Sequence, residues 1–141
     1  MFERIVYQST ASQEFGSLAL FRLLTEAQLR NAHLQITGHL LFLNGQFTQC
    51  LEGPPRNVEL IWQSLQRDTR HHSIELLVRH ATEERRFPAW SMAFSTYNSY
   101  YVHGMQGFFP LDGDAQSPVV HLCTSDVDSS GNAPNVGIHH A

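Results

Sequence analysis

The sequence predicts an α+β fold in which one sheet is backed by two helices on the ferredoxin-like plan. The chain has 141 residues, enough to bury one sizeable core. Segments with strand and helix periodicity follow one another in the order β-α-β-β-α-β-β, and the first six match that plan. Asn44-Gly45, between two apolar runs, is a strong signal for a tight hairpin.

The first half of the chain supplies a strand, a helix and a hairpin. Residues 2–9 are rich in strand formers and contain no breaker. Ser17 is a candidate N-cap for a helix whose apolar positions continue at helical spacing to about Asn31. The strand returning from the hairpin alternates, so Gln49 lies on one face and Cys50 on the other.

The second half supplies another helix and two more strands. Pro54-Pro55 opens a helix whose apolar face comprises Val58, Ile61, Trp62 and Leu65. Residues 74–78 then predict a strand, and residues 90–94 a short final one. We assign residues 1–96 to one domain. The aromatic stretch 97–111 is expected to cap the sheet face opposite the helices, and the polar tail 112–141 to be disordered.

Composition argues against several classes of function. The net charge is −4 with no Lys/Arg run, which disfavours nucleic-acid binding, and no apolar run approaches a membrane span. The amino terminus does not resemble a signal peptide, so we expect a cytoplasmic protein. Two cysteines form no disulfide or zinc pattern, and the nine histidines show no metal-site spacing. The sequence contains no Ser-His-Asp set, no carboxylate pair suited to acid/base work and no Gly-rich phosphate loop. We therefore do not expect an enzyme.

Polar residues on faces that should be apolar are the main indication of a site. Tyr7 shares a strand face with Ile5, and Gln49 lies between two apolar residues of its own strand. A buried Gln amide needs hydrogen-bond partners or costs a few kcal/mol. Gln49 is therefore either a structural residue bonded to Tyr7 or backbone, or part of a binding site. Asn31 is equally explained as a helix C-terminal cap.

Six segments in order resemble the BLUF family, sensors of blue light using FAD. They are Ile5-Val6-Tyr7-Gln8-Ser9, Arg30-Asn31, Ile36-Thr37-Gly38, Phe47-Thr48-Gln49-Cys50-Leu51-Glu52-Gly53-Pro54, Asp68-Thr69-Arg70-His71 and Arg86-Phe87-Pro88-Ala89-Trp90-Ser91-Met92. The resemblance covers roughly residues 2–96. Two departures stand out: His39 replaces an apolar residue, and Ala32 replaces the second asparagine of some relatives.

The resemblance implies an isoalloxazine ring held between the two helices, with Tyr7 as the redox-active tyrosine and Gln49 as the switching glutamine. It implies that Asn31 pairs with the flavin pyrimidine edge, with Arg70 near that edge. Arg30 lies over the ring, reaches the phosphates, or is simply solvated. The full set of implied cofactor-binding residues is Tyr7, Ser9, Arg30, Asn31, Gln49, Asp68, Arg70 and His71, and the implied signal relay is Trp90 and Met92.

The resemblance thus implies a stand-alone blue-light photoreceptor that binds FAD, with FMN as an alternative flavin. Such a sensor would signal to an unidentified partner protein, and we expect it to form a homo-oligomer. Two other interpretations stay open at this point. One is a flavin-free protein-interaction adaptor, and the other is a small flavin reductase, although no nucleotide fingerprint is present.

Overall fold

The computed structural model describes residues 1–111, and the predicted tail 112–141, with Cys123, lies outside them. The order of elements matches the prediction, with a short 3₁₀ turn added at the end. The elements are β1 (Phe2–Ala11), α1 (Ser17–His33), β2 (Thr37–Leu43), β3 (Gln46–Gly53), α2 (Pro55–Arg67), β4 (His71–Thr82), β5 (Ala93–Ser95) and η1 (Asn98–Tyr100).

The five strands form one mixed sheet in the order β4-β1-β3-β2-β5. The first four strands pair antiparallel, as in the ferredoxin-like plan, and β5 adds to β2 in parallel. Asn44 and Gly45 form the tight turn between β2 and β3, and both have positive φ, as predicted.

Both helices pack on the same face of the sheet and enclose the main core. Helix α2 contributes to this core the four residues that its periodicity predicted: Val58, Ile61, Trp62 and Leu65. Phe47 and Leu51 of β3 lie in this core, and Gln49 lies between them on the same face. This arrangement places Gln49 under the helices.

The opposite face of the sheet carries a smaller core around Cys50, Val78 and Phe87. It also contains a buried ion pair, in which Arg4 Nε lies 2.9 Å from Glu52 Oε2. The other carboxylate oxygen of Glu52 accepts the Phe87 backbone N–H at 2.7 Å. The loop before β5 is thereby fixed over this face, and the buried Cys50 thiol lies on the face away from Gln49.

The bounds of several elements differ from the prediction, most clearly in α1, β4 and β5. The N-cap of α1 is Gly16, with no side-chain capping bond, so Ser17 is the first helical residue instead. Strand β4 begins at His71, in the segment predicted as a polar connection, because pairing with β1 continues to Ala11↔His71. Strand β5 contains only residues 93–95, so the Trp90–Met92 segment precedes the strand rather than forming it.

The aromatic segment 97–111 lies on the helix side, so its predicted position on the opposite face is wrong. Met105 is buried in the helix-side core, and Tyr100 packs against Phe42 at 6.1 Å between ring centroids. The physical reason is the open edge of β5. Phe94 N–H donates to Gly107 O at 2.7 Å, and Phe109 N–H donates to Phe94 O at 2.8 Å. We call residues 97–111 the cap segment.

Two features are absent from the described part of the chain. No helix within residues 1–111 is long and apolar enough to cross a membrane. Within the same residues, no group of three or more His, Cys, Asp or Glu side chains is arranged to hold a metal ion.

Candidate functional site

A cleft opens between the two helices above the centre of the sheet. It has about 510 Å³ of empty space, part of which is open to solvent. Its lining comes from α1 and the loop before it, the end of α2, the turn into β4 with the first residue of that strand, and strands β1 to β3. The residues are Tyr7, Phe15, Leu23, Glu26, Ala27, Arg30, Leu40, Phe47, Gln49, Leu65, Asp68, Arg70 and His71. The walls are mainly apolar, and polar groups lie at the floor and mouth.

A hydrogen-bonded row of three side chains runs from the floor of the cleft, formed by Tyr7 and Gln49, into the core at Met92. Tyr7 and Gln49 are directly opposite each other on β1 and β3, and the Tyr7 O–H donates to Gln49 Oε1. Gln49 Nε2 in turn contacts Met92 Sδ at 3.6 Å. All three residues are almost fully buried. The sequence therefore identified Tyr7, Gln49 and Met92 as residues that the fold brings together.

Burial controls the protonation of Tyr7. Removal from water disfavours the phenolate and raises the pKa of Tyr7 well above its usual value. Arg30 opposes this rise in the pKa, and Asp68 adds to it. The Tyr7 phenol is consequently a hydrogen-bond donor at neutral pH, and Gln49 is oriented with its carbonyl oxygen toward that donor.

Arg30 and Asn31, at the end of α1, take different positions. Arg30 lines the cleft, and burial lowers the pKa of its guanidinium. Asn31 is fully buried behind it, where its Nδ2 donates to Ser91 O at 2.9 Å and its Oδ1 accepts from Arg30 Nε at 3.2 Å. These bonds use one donor and one lone pair, and an Asn amide has a second of each. The predicted bond from Asn31 to a ligand stays a prediction.

Asp68 and Arg70 form an ion pair at the mouth of the cleft. Asp68 accepts from the Arg70 guanidinium at 2.7 Å and from its backbone N–H at 3.0 Å. The Arg70 side chain holds the pKa of Asp68 below its usual value. Arg70 also reaches Glu26 of α1 at 3.1 Å. The two sides of the mouth are therefore joined by partly exposed charges.

Of Ser9 and His71, only His71 lines the cleft, and Ser9 contacts the His71 ring from behind it. His71 Nε2 lies 2.7 Å from Leu65 O, which can only accept, so Nε2 carries the proton. Its other nitrogen, Nδ1, lies 2.7 Å from Ser9 Oγ. Ser9 is buried and is not part of the cleft lining. It fixes the orientation of the His71 ring, which does line the cleft.

Trp90 is separated from the row of buried side chains. It is 37% exposed and packs edge-on against Phe109 of the cap segment at 5.9 Å, whereas Met92 is 0% exposed. The two predicted relay residues thus occupy different environments: Met92 contacts Gln49, and Trp90 lies at the surface.

Several lining residues were missing from the predicted set. Leu23, Glu26, Ala27 and Arg30 follow one another at helical spacing, so α1 presents a single face to the cleft. From the sequence, this face is expected to be ordinary core, with Arg30 as its one candidate for binding. A charged Glu26 next to an apolar stripe was the available signal.

The fold and the cleft define a small α+β domain with a cleft between its two helices and a polar, hydrogen-bonded floor beneath it. Residues 2–93 match the family described as BLUF, sensors of blue-light using FAD. The chain belongs to this family of flavin-using blue-light sensor domains.

A curated relative is the photoactivated adenylate cyclase subunit beta of Euglena longa, 34% identical over 93 residues. The match covers 65% of this chain but only 11% of that protein. Among solved structures, the BlsA ground state is 34% identical with a TM-score of 0.64, covering 67% of this chain and 64% of that one. The dark-state structure of BlrB, a BLUF protein, is 28% identical with a TM-score of 0.63, covering 66% and 70%.

The residues of the cleft fit the flavin that the family description names. The apolar walls from α1 and α2 suit a flat, largely apolar ring system, as most ligand sites do. The donors that line it include an amide, a phenol and two guanidinium groups, from Gln49, Tyr7, Arg30 and Arg70. The lining also contains the carboxylates of Glu26 and Asp68, both paired with Arg70, and the His71 ring. The amide, phenol and guanidinium groups can donate to ring carbonyls and nitrogens or to phosphate oxygens.

Proposed function

We propose that Tyr7, Gln49 and Met92 form a hydrogen-bond switch, through which this chain converts blue-light absorption by a flavin in the cleft into a change at its last strand. The observation that carries the proposal is the buried row of contacts from Tyr7 O–H to Gln49 and from Gln49 to Met92 Sδ. A buried amide with a donor on one side and an acceptor on the other has a defined orientation.

The flavin would be held by the residues that line the cleft and by those next to them. Gln49 and Tyr7 lie beneath it, and Arg30, Asn31 and Arg70 supply hydrogen-bond donors around its edge. When bound, FAD supplies the blue-light absorption and an excited state that accepts an electron from a nearby donor. We propose Tyr7 as that donor and FAD as the natural flavin, with FMN as an alternative.

The switch itself would be a reversal of the Gln49 amide. In the described state Oε1 accepts from Tyr7, and Nε2 faces Met92 Sδ. Rotation of the amide by half a turn, or its tautomerisation, exchanges which end donates. After rotation Oε1 would face the sulfur, and two acceptors would oppose each other. Met92 would then lose its contact and move, which transfers the change from β3 to the segment before β5.

We further propose that another protein reads this change. The support comes from BlsA and BlrB. The part that matches this chain makes up about two thirds of each of those proteins. A homo-oligomer and a cytoplasmic location stay predictions, as does the assignment of Ser9, Asp68 and His71 to flavin binding.

The test is an absorption spectrum of the purified, flavin-loaded chain before and after blue light. We expect a flavin spectrum that shifts reversibly to the red. Gln49→Leu should keep the flavin and lose the shift, since Leu cannot donate or accept a hydrogen bond. Gln66→Leu, a matched change at an exposed position of α2, should behave as the unchanged protein.

Three results would contradict the proposal, and each indicates a different alternative. A protein that stays colourless after flavin is added would support the adaptor. A bound flavin that never shifts but is bleached with turnover by NADH would support the reductase. A normal red shift in Gln49→Leu would remove Gln49 from the switch while leaving a light sensor.

A further inference from the structure

The backbone of the segment before β5 is held at three consecutive carbonyl oxygens. Trp90 O accepts from the Gly38 N–H at 3.1 Å, and Ser91 O accepts from Asn31 Nδ2 at 2.9 Å. Met92 O accepts from Gln28 Nε2 at 3.0 Å. The donors come from β2 and from α1, so the position of this segment is fixed by the two elements beside it.

The Gln28 amide makes a second bond of equal length. Its Nε2 also donates to Gln106 O, at 3.0 Å, in the cap segment. An amide nitrogen has two hydrogens, so one side chain can satisfy both carbonyls at once. Gln106 precedes Gly107, whose carbonyl oxygen accepts from Phe94 N–H at 2.7 Å. Gln28 therefore joins α1 both to the segment before β5 and to the strand-like pairing of the cap.

Met92 is consequently held at both ends by glutamine amides. Its sulfur is contacted by Gln49 on the cleft side, and its carbonyl oxygen by Gln28 on the α1 side. A displacement of Met92 that follows a change at Gln49 and reaches the Met92 backbone alters the Gln28 bond, or carries the Gln28 amide with it. In either case the hydrogen bond from the same nitrogen to Gln106 O changes as well.

We propose that Gln28 is a positioning residue that couples Met92 to the cap segment, so that the light-driven change at Gln49 loosens the pairing of the cap with β5. This inference rests on the proposed function, because it requires the Gln49 switch. The cap carries Tyr101, which is 44% exposed and packs on Phe108, so loosening alters an exposed aromatic surface.

Amide hydrogen exchange of the flavin-loaded full chain, in the dark and under blue light, tests the coupling. The reporters are the N–H groups of Phe94 and Phe109, which bond across the pairing between β5 and the cap. In the unchanged protein, light should accelerate exchange at both by roughly threefold to tenfold, the factor expected from losing one ordinary hydrogen bond.

Gln28→Met keeps the side-chain length and removes both donors. We expect this variant to retain the red shift. The N–H groups of Phe94 and Phe109 should already exchange at the fast rate in the dark, so the ratio of their exchange rates in light and dark should be about one. Gln28→Lys restores a donor at nearly the same reach and should recover part of the ratio. Gln63→Met, at an exposed position of α2 where the amide donates to Glu59 Oε2 at 2.8 Å, is the matched control.

The outcomes separate the two proposals. Absence of a red shift in the unchanged protein removes the proposed function and this inference together. A normal red shift without a light-dependent change at Phe94 and Phe109 overturns only the inference, as does a wild-type ratio in Gln28→Met. If Gln28→Met does not fold, Gln28→Ala, which favours helix, is measured with the same criteria.

Discussion

We predict that His39 makes the stability of this chain sensitive to acid. It is 0% exposed on the sheet face away from the cleft, its ring stacks on Phe87 at 5.6 Å, and its Nε2 lies 2.8 Å from Ser95 Oγ. Burial lowers the pKa of His39 from 6.5 to about 3. The nearby charges on the same face, Arg4 and Glu52, are paired with each other.

The sign and size follow from proton linkage. Below pH 6.5 the unfolded chain binds a proton at His39 that the folded chain excludes until about pH 3. The stability due to the neutral histidine is therefore complete above pH 6.5 and is lost as the pH falls toward 3. At pH 5 the pKa of His39 in the unfolded chain, 6.5, lies about 1.5 units above the pH of the solution. At about 1.4 kcal/mol per unit, the loss relative to pH 7 is about 2 kcal/mol.

Urea unfolding of flavin-loaded protein at pH 7 and pH 5 measures this loss. His39→Leu removes the titrating group at similar volume, so its loss between the two pH values should be about 2 kcal/mol smaller than that of the unchanged chain. His33→Leu, at an exposed position near the end of α1, is the matched control and should lose as much as the unchanged chain. Equal losses in His39→Leu and the unchanged chain would refute the assignment of this sensitivity to His39.

Three further predictions concern the switch and the sheet. Tyr7→Phe should keep the dark flavin spectrum and lose the red shift, and a retained shift would contradict the role of its O–H group. Glu52→Gln should lower the free energy of unfolding by about 3 kcal/mol, because it removes the negative charge that compensates the buried Arg4 guanidinium. The double change Arg4→Met with Glu52→Leu should cost much less in the same urea experiment, and equal costs would contradict this reasoning. Gly38→Ala should cost about 3 kcal/mol, because its Cβ would lie 2.0 Å from a carbonyl oxygen of β3, and wild-type stability would refute that contact.

Features that depend on local spacing were predictable from the sequence. The period-two pattern of β3 placed Gln49 and Cys50 on opposite faces, and the helical period of α2 identified its four core residues. The hairpin at Asn44-Gly45 followed from the need for positive φ at both positions. Each of these inferences requires only neighbours within one turn or one strand.

Features that depend on distant partners were not predictable. Gln28 lies 64 residues from Met92 and 78 from Gln106, and nothing in the local sequence of α1 indicates either bond. The face occupied by the cap segment depended in the same way on the open edge of β5. Aromatic composition predicted correctly that the segment packs, but the face was decided by the backbone groups of Phe94. Local hydrophobicity contains no information about which sheet edge is free.

Two polar pairs between β1 and β3 show why polarity alone does not identify a site. Tyr7 is directly opposite Gln49, and Arg4 is directly opposite Glu52 three residues along the same strands. An odd separation places the two pairs on opposite faces of the sheet, and both are buried and hydrogen-bonded. Next to Arg4 and Glu52, the loop at Phe87 fills the space, and the Phe87 backbone N–H donates to a carboxylate oxygen of Glu52. That pair therefore holds a loop in place. Above Tyr7 and Gln49 the helices leave a cleft, so the same kind of cross-strand pair lines a space that a ligand can occupy, as the proposed switch requires. The geometry of the helices, rather than the burial of polar groups, therefore distinguishes the candidate switch from a structural ion pair.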